Sequence, residues 1–176
     1  MEKQYVGVTI IENPYYDTCN NISSLFVARE HLGDVIILDG DQIIFNEKVL
    51  SPEFERSGYN CVWTDGETKE WLLSVKDDIV QSCSRTGGCT GWQLYSVSRW
   101  SSEDGKRLKK HLELEFEEKE NRQIYWDDVA MFCHFDEYQL GIREMKAEDV
   151  LEIDDIDELI KIDESYKNWK GVENYE

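Results

Sequence analysis

The chain has 176 residues, of which 40% are hydrophobic and 12% aromatic, enough large apolar surface to exclude a disordered chain and to build one sizeable core. Its formal charge of −19 repels phosphate backbones and excludes general nucleic-acid binding. No apolar run is long enough to cross a bilayer, and Met1 to Ile10 has neither the basic start nor the apolar centre of a signal peptide, so the expectation is a cytoplasmic protein that does not engage a membrane.

A cationic small molecule, or an anionic one escorted by a divalent metal, suits this charge. Two prolines, no Pro/Gly/Ser-rich linker and no repeat make residues 1–176 a single domain. Five cysteines at irregular spacing (Cys19, Cys61, Cys83, Cys89, Cys133) argue for reduced thiols rather than a disulfide framework.

In chain order, the β-branched run Val6 to Ile11, closed by Asn13-Pro14, predicts a strand. Ile22, Leu25, Phe26, Ala28 and Leu32 recur at helical spacing, with Asn20 or Asn21 as cap and Gly33 as stop. Val35 to Leu38 is uniformly apolar, which predicts a strand buried on both faces, as in a parallel sheet. Residues 59–63, 70–75, 79–83 and 91–97, separated by turn sequences at Asp65-Gly66, Lys76 to Asp78 and Thr86 to Gly88, predict antiparallel strands. A charged helix follows from Ser101 to about Glu118, then a second through Asp127 to Phe132. Leu151 to Asp154 precedes a last helix through Ile156, Leu159 and Ile160, capped by Asp154 or Asp155.

The most informative spot is Asp39-Gly40-Asp41, at the carboxyl end of the most apolar strand, where open α/β sheets place their ligands. A carboxylate there can meet a hard cation while Gly40 lets substrate approach, although Asp-Gly is also an ordinary turn. A second acidic corner, Glu152-Ile153-Asp154, could share one Mg²⁺ with the first, since Mg²⁺ usually takes one or two carboxylates and fills its shell with water and phosphate oxygens; Asp154 is equally a helix cap. Between them lie Glu70-Trp71 and Tyr125-Trp126-Asp127-Asp128, rings beside acids of the kind a quaternary ammonium pocket uses, or simply core aromatics.

The order of these pieces, from Asn20-Asn21 and Ser24-Leu25 through Leu38 to Asp41, Glu70-Trp71, Gly91 to Trp100, Tyr125 to Asp127 and Glu152 to Asp154, resembles the bacterial phosphocholine cytidylyltransferases over about Val6 to Ile162. The resemblance implies an α/β fold, a Rossmann-like nucleotidyltransferase mixed sheet flanked by helices. It implies metal-dependent transfer of CMP from CTP to phosphocholine or a similar small phosphorylated substrate. Asp41 and Asp154 would hold Mg²⁺ and serve catalysis; Asn20, Asn21, Ser24 and Asp39 would face the nucleotide; Trp71, Tyr125, Trp126 and Asp127 would face the acceptor. Members of that family open with a strand, a Gly-rich loop carrying an Arg, and a Pro-Lys segment that cradle the triphosphate, and nothing in these 176 residues matches that unit. The resemblance therefore carries the expectation of an N-terminally truncated chain that works with a separate N-terminal segment or as a homo-oligomer. The alternative is an inactive choline- or phosphocholine-binding module, or a structural remnant.

Overall fold

The computed structural model describes residues 5–153 and 155–168. Its centre is a mixed sheet of six strands: β1 (Val35–Ile37), β3 (Gly58–Thr64), β4 (Leu72–Lys76), β5 (Ile79–Ser84), β6 (Gly91–Trp100) and β7 (Gly141–Glu144). They lie in the order β1-β6-β3-β7-β5-β4. The long β6 organises the sheet: β3 runs antiparallel along one edge, while β1 and β4 share the other, β1 at Ser98 to Trp100 and β4 at Trp92 and Gln93. The β4–β5 hairpin therefore curls back over the sheet, and β5 meets β7 through the single pair Ile79 and Gly141. A two-stranded ribbon, β2 (Gln42–Ile44) with β8 (Val150–Glu152), lies beside this sheet.

The antiparallel strands expected in the middle of the chain are present, and the last two predicted helices before β7 form where periodicity put them. Helix α2 (Ser102–Glu113) is started by Ser101, whose hydroxyl accepts the Asp104 N–H, and runs on into a wide π-helical turn at Leu114–Glu118. Helix α3 (Trp126–Asp128) continues in the same way through Val129–Cys133. The short α1 (Ile22–Val27) starts at Asn21 and gives way to a single tight turn at Arg29–His31, short of Gly33. The final helix α4 (Ile156–Ile162) is capped by Asp155, which accepts the Glu158 N–H. No helix among the described residues is long and apolar enough to cross a membrane.

Two expectations fail for identifiable reasons. Val6 to Ile11 forms a turn and an extended segment outside both sheets, with Val6, Ile10 and Ile11 exposed; β propensity expresses packing on a sheet and does not by itself create a partner. The apolar run at Val35 to Ile37 is half-buried and packed on both faces, since Val35 and Ile37 meet the main core while Ile36 meets a smaller one, but Leu38 lies beyond the strand and is exposed. Its neighbour β6, however, runs antiparallel, and the one parallel pair among the described strands is β3 with β7. Two-sided packing, rather than strand direction, produces the unbroken apolar pattern.

Helices α1, α2 and α3 cover one face of the sheet and enclose the main core, in which Trp100 touches Tyr59, Trp126 and Tyr138 edge to face. The other face packs Val97 on Val49, Met145 and Val150. There the buried Arg99 guanidinium ties Asn60 to the carbonyls of Val49 and Ser51, which satisfies a charge that would otherwise be costly to bury. Helix α2 meets α1's exit closely: a methyl group on Gly105 would overlap the Leu32 carbonyl. Gly105→Ala should therefore destabilise the chain by about 1–3 kcal/mol despite alanine's better helix propensity, read as a lower urea midpoint with unchanged slope.

Candidate active site

The carboxyl end of β1, the first turn of α1, the entry to β4 and the first turn of α3 converge on a cavity of about 690 Å³. Asn21, Ser24, Asp39, Asp41, Trp71, Tyr125, Trp126 and Asp127 all line it, so residues spread over a hundred positions meet at one place. Asn20 does not line the cavity. Its amide donates to the Gln123 carbonyl, its side-chain oxygen accepts the Asn21 N–H, and its backbone N–H donates to Arg122, so it straps the loop before α3 to the start of α1. Asp154 lies outside the described residues. The residue before it, Ile153, donates its N–H to the Asp41 carbonyl, an extension of the β2–β8 ribbon.

The wall formed by α3 is fixed from two sides. Asn21 Oδ1 accepts the Trp126 N–H at 2.9 Å, which satisfies one of the free donors at the start of that helix. On the other side Asp128 accepts the Tyr125 N–H and pairs with Arg85 at 2.6 Å. The Arg85 guanidinium also lies 3.9 Å above the Phe132 ring, and Phe132 in turn meets Trp71 edge to face. Trp71 and Tyr125 contact each other edge to face at the cavity rim, and Tyr125 is half exposed. Trp126 differs: 3% exposed, it packs among Tyr59 and Trp100, so its ring belongs chiefly to the core.

Electrostatics sets this cavity apart. Among the described residues that line it, five are carboxylates (Asp39, Asp41, Glu70, Asp127 and Glu152) and none is lysine, arginine or histidine. Burial raises the Asp39 carboxyl above its ordinary range and the Asp41 charge adds to this, while Ser96 opposes both by hydrogen bonding. Asp127 is 6% exposed, and burial pushes its carboxyl up to about 8, with Asp39 and Asp128 acting in the same direction. The Tyr59 hydroxyl lies near enough to favour the ionised form, yet neither it nor Asp127 Oδ1 has a protein hydrogen bond of good geometry among the described residues. A buried acceptor without a donor is costly and marks a place for a ligand to supply one.

Asp39 and Asp41 also fit a hard divalent ion. The Asp41 charge is near enough to raise the proton affinity of Asp39, and a Mg²⁺ shell needs one or two carboxylates with the remainder from water and phosphate. Sequence reasoning passed over Tyr59 and Arg85 because neither sits in a motif: one acts from beneath the cavity, on β3, and the other from the far side of the aromatic wall.

No family model matches the chain. It is 30% identical to a 2-aminoethylphosphonate cytidylyltransferase of Lancefieldella rimae over 168 residues, 94% of this chain and 68% of that protein. It is 25% identical to the choline-phosphate cytidylyltransferase of Streptococcus pneumoniae, across 94% of this chain and 72% of the relative. A solved structure of the CTP:phosphocholine cytidylyltransferase from Streptococcus pneumoniae superposes with a TM-score of 0.81 at 25% identity, covering 93% of this chain and 71% of that one. The fold, with a cavity at its strand ends, is thus the Rossmann-like fold of a nucleotidyltransferase. More narrowly, the chain belongs to the bacterial cytidylyltransferase family that includes these choline-phosphate and 2-aminoethylphosphonate enzymes.

The Asp127 carboxyl gives a sign-definite expectation. Its proton is held more tightly in the folded state, near pH 8, than in the unfolded state, near 3.8, so it costs no stability below the lower value and costs progressively more as pH rises toward the upper one. Asp127→Asn removes this cost. Relative to the parent, the urea midpoint of the variant should rise steadily from about pH 5 to about pH 8, whereas a constant difference would contradict the burial-driven shift.

Proposed function

We propose that this chain supports Mg²⁺-dependent transfer of CMP from CTP to a small phosphate or phosphonate that carries a terminal ammonium group. The single observation that carries the reading is the pairing of an aromatic rim with a buried Asp127 oxygen that lacks a well-placed donor, in a cavity with no cationic side chain among its described lining residues. In the reaction, an acceptor oxygen attacks the α-phosphorus of CTP, the bond to the β-phosphate oxygen breaks and pyrophosphate leaves. No protein nucleophile is required, and catalysis consists of positioning and charge neutralisation.

In this reading Asp39 and Asp41, together with Asp154, hold the metal, which when bound would offset charge on the transferring phosphoryl group. Asn21 and Ser24, at the start of α1, face the nucleotide, and Asn20 supports them from behind. Trp71 and Tyr125 offer their ring faces to the ammonium group, a contact worth about 0.5–2 kcal/mol, and Asp127 supplies the countercharge. Trp126 contributes by holding Asp127 in place rather than by its ring face.

The polar demand of Asp127 favours a primary ammonium, whose N–H donors can satisfy Oδ1, over a trimethylammonium, which has none. The higher identity to the aminoethylphosphonate enzyme points the same way. A pyrophosphate-release assay with CTP, Mg²⁺ and either 2-aminoethylphosphonate or phosphocholine tests this directly. The aminoethyl acceptor should give the higher kcat/KM, and Trp71→Ala should raise the acceptor KM roughly tenfold with little change in the KM for CTP. Preference for phosphocholine would overturn the choice of head group. Absence of turnover together with absence of acceptor binding would overturn the function.

A further inference from the structure

Apart from the cavity, a second group of ionisable side chains among the described residues brings metal-ligating atoms together. His111, in the last turn of α2, stacks on His134, which follows the wide turn of α3, with ring centroids 3.8 Å apart and planes 6° from parallel. Each imidazole is anchored at its outer nitrogen. His111 Nδ1 lies 2.7 Å from the Tyr138 hydroxyl, and His134 Nε2 lies 2.8 Å from Glu115 Oε1. Glu115 is buried, and its carboxylate also receives hydrogen bonds from Lys119 and Asn121.

The inner nitrogens, His111 Nε2 and His134 Nδ1, both face Glu137, each 3.3 Å from one of its two carboxylate oxygens. One ligand atom from each of the three residues lies within 4.8 Å of the others. Surrounded by the N–H donors of Lys119, Asn121 and His134, Glu115 accepts the Nε2–H of His134 and leaves the Nδ1 lone pair facing another carboxylate. Two acceptors face to face require a cation between them, either a proton or a metal ion.

We propose that His111, His134 and Glu137 form a binding site for a borderline divalent transition metal, with Zn²⁺ the reference case, separate from the cavity at the strand ends. Two imidazoles and one carboxylate make a donor set suited to Zn²⁺, Co²⁺ or Ni²⁺ and unsuited to Mg²⁺, which prefers oxygen. A hydrogen-bonded carboxylate behind one ligating histidine and a hydroxyl behind the other are the outer partners that fix ring orientation in such sites. In-plane lone pairs of parallel rings cannot converge on one ion, so binding splays the stack, and Glu137, 56% exposed, follows the ion from the solvent side while water completes the shell. The bound ion joins the end of α2 to the segment that leaves α3 and stabilises the folded state by mass action.

The test is calorimetric titration of the chelator-treated full chain with Zn²⁺ in the presence of excess Mg²⁺, with thermal unfolding as a second readout. One site per chain and a Zn²⁺-dependent rise in Tm are expected. His134→Gln and Glu137→Gln should each weaken Zn²⁺ binding tenfold or more and abolish the rise in Tm. Glu137 is on the surface, so its variant remains informative if the histidine variant folds poorly. Failure to bind Zn²⁺, competition by Mg²⁺, or unchanged affinity in Glu137→Gln, as ligation by the exposed thiols of Cys89 and Cys133 would give, overturns the proposal.

Discussion

Five carboxyl groups converge on a cavity with no cationic side chain among its described lining residues, and that crowding of like charge is the constraint from which the rest follows. Burial is the chief cause of the raised Asp39 and Asp127 carboxyls and the neighbouring acids act in the same direction, so without a ligand proton uptake eases both the burial and the crowding. A divalent ion at the strand-end acids and an ammonium group at Asp127 would relieve it more completely. In the proposed reading an overall charge of −19 is compatible with a phosphorylated substrate, because the anion would arrive with cations that the described lining of the cavity lacks.

The fold supports this arrangement by fixing α3 and leaving its first turn open to the cavity. Asn21 holds the Trp126 amide, Arg85 holds Asp128 and braces Phe132 behind Trp71, and the Trp126 ring is wedged between Tyr59 and Trp100. Asp127 is thereby held in the cavity wall, with its carboxyl beside the Tyr59 hydroxyl.

Much of this was legible in the sequence, because the hydrophobic pattern registers which faces are packed and because acids and rings at element ends stand out. The Asp39-Gly40-Asp41 corner, the Trp71 rim and the Tyr125 to Asp127 turn were all visible in that way. Other features were not. Val35 to Ile37 showed two-sided packing but not strand direction, since Ile36 and its neighbours would be equally apolar beside a parallel or an antiparallel partner. Gly141–Glu144 is short and polar, so it gave little sign of the strand that pairs in parallel with β3. The parts played by Arg85, Tyr59 and the His111–His134 stack depend on contacts between segments far apart in the chain, which periodicity cannot report.

The most direct measurement of the central claim is proton release on acceptor binding near pH 8, where the phosphonate of the ligand is already doubly ionised and Asp127 is half protonated. Calorimetric titration with 2-aminoethylphosphonate in buffers of different ionisation enthalpy should show a fraction of a proton released per molecule bound, as the ammonium group draws Asp127 into its charged form, and Asp127→Asn should show none. Binding heats that do not depend on the buffer, or the same release from the asparagine variant, would contradict the assignment of Asp127 as the countercharge.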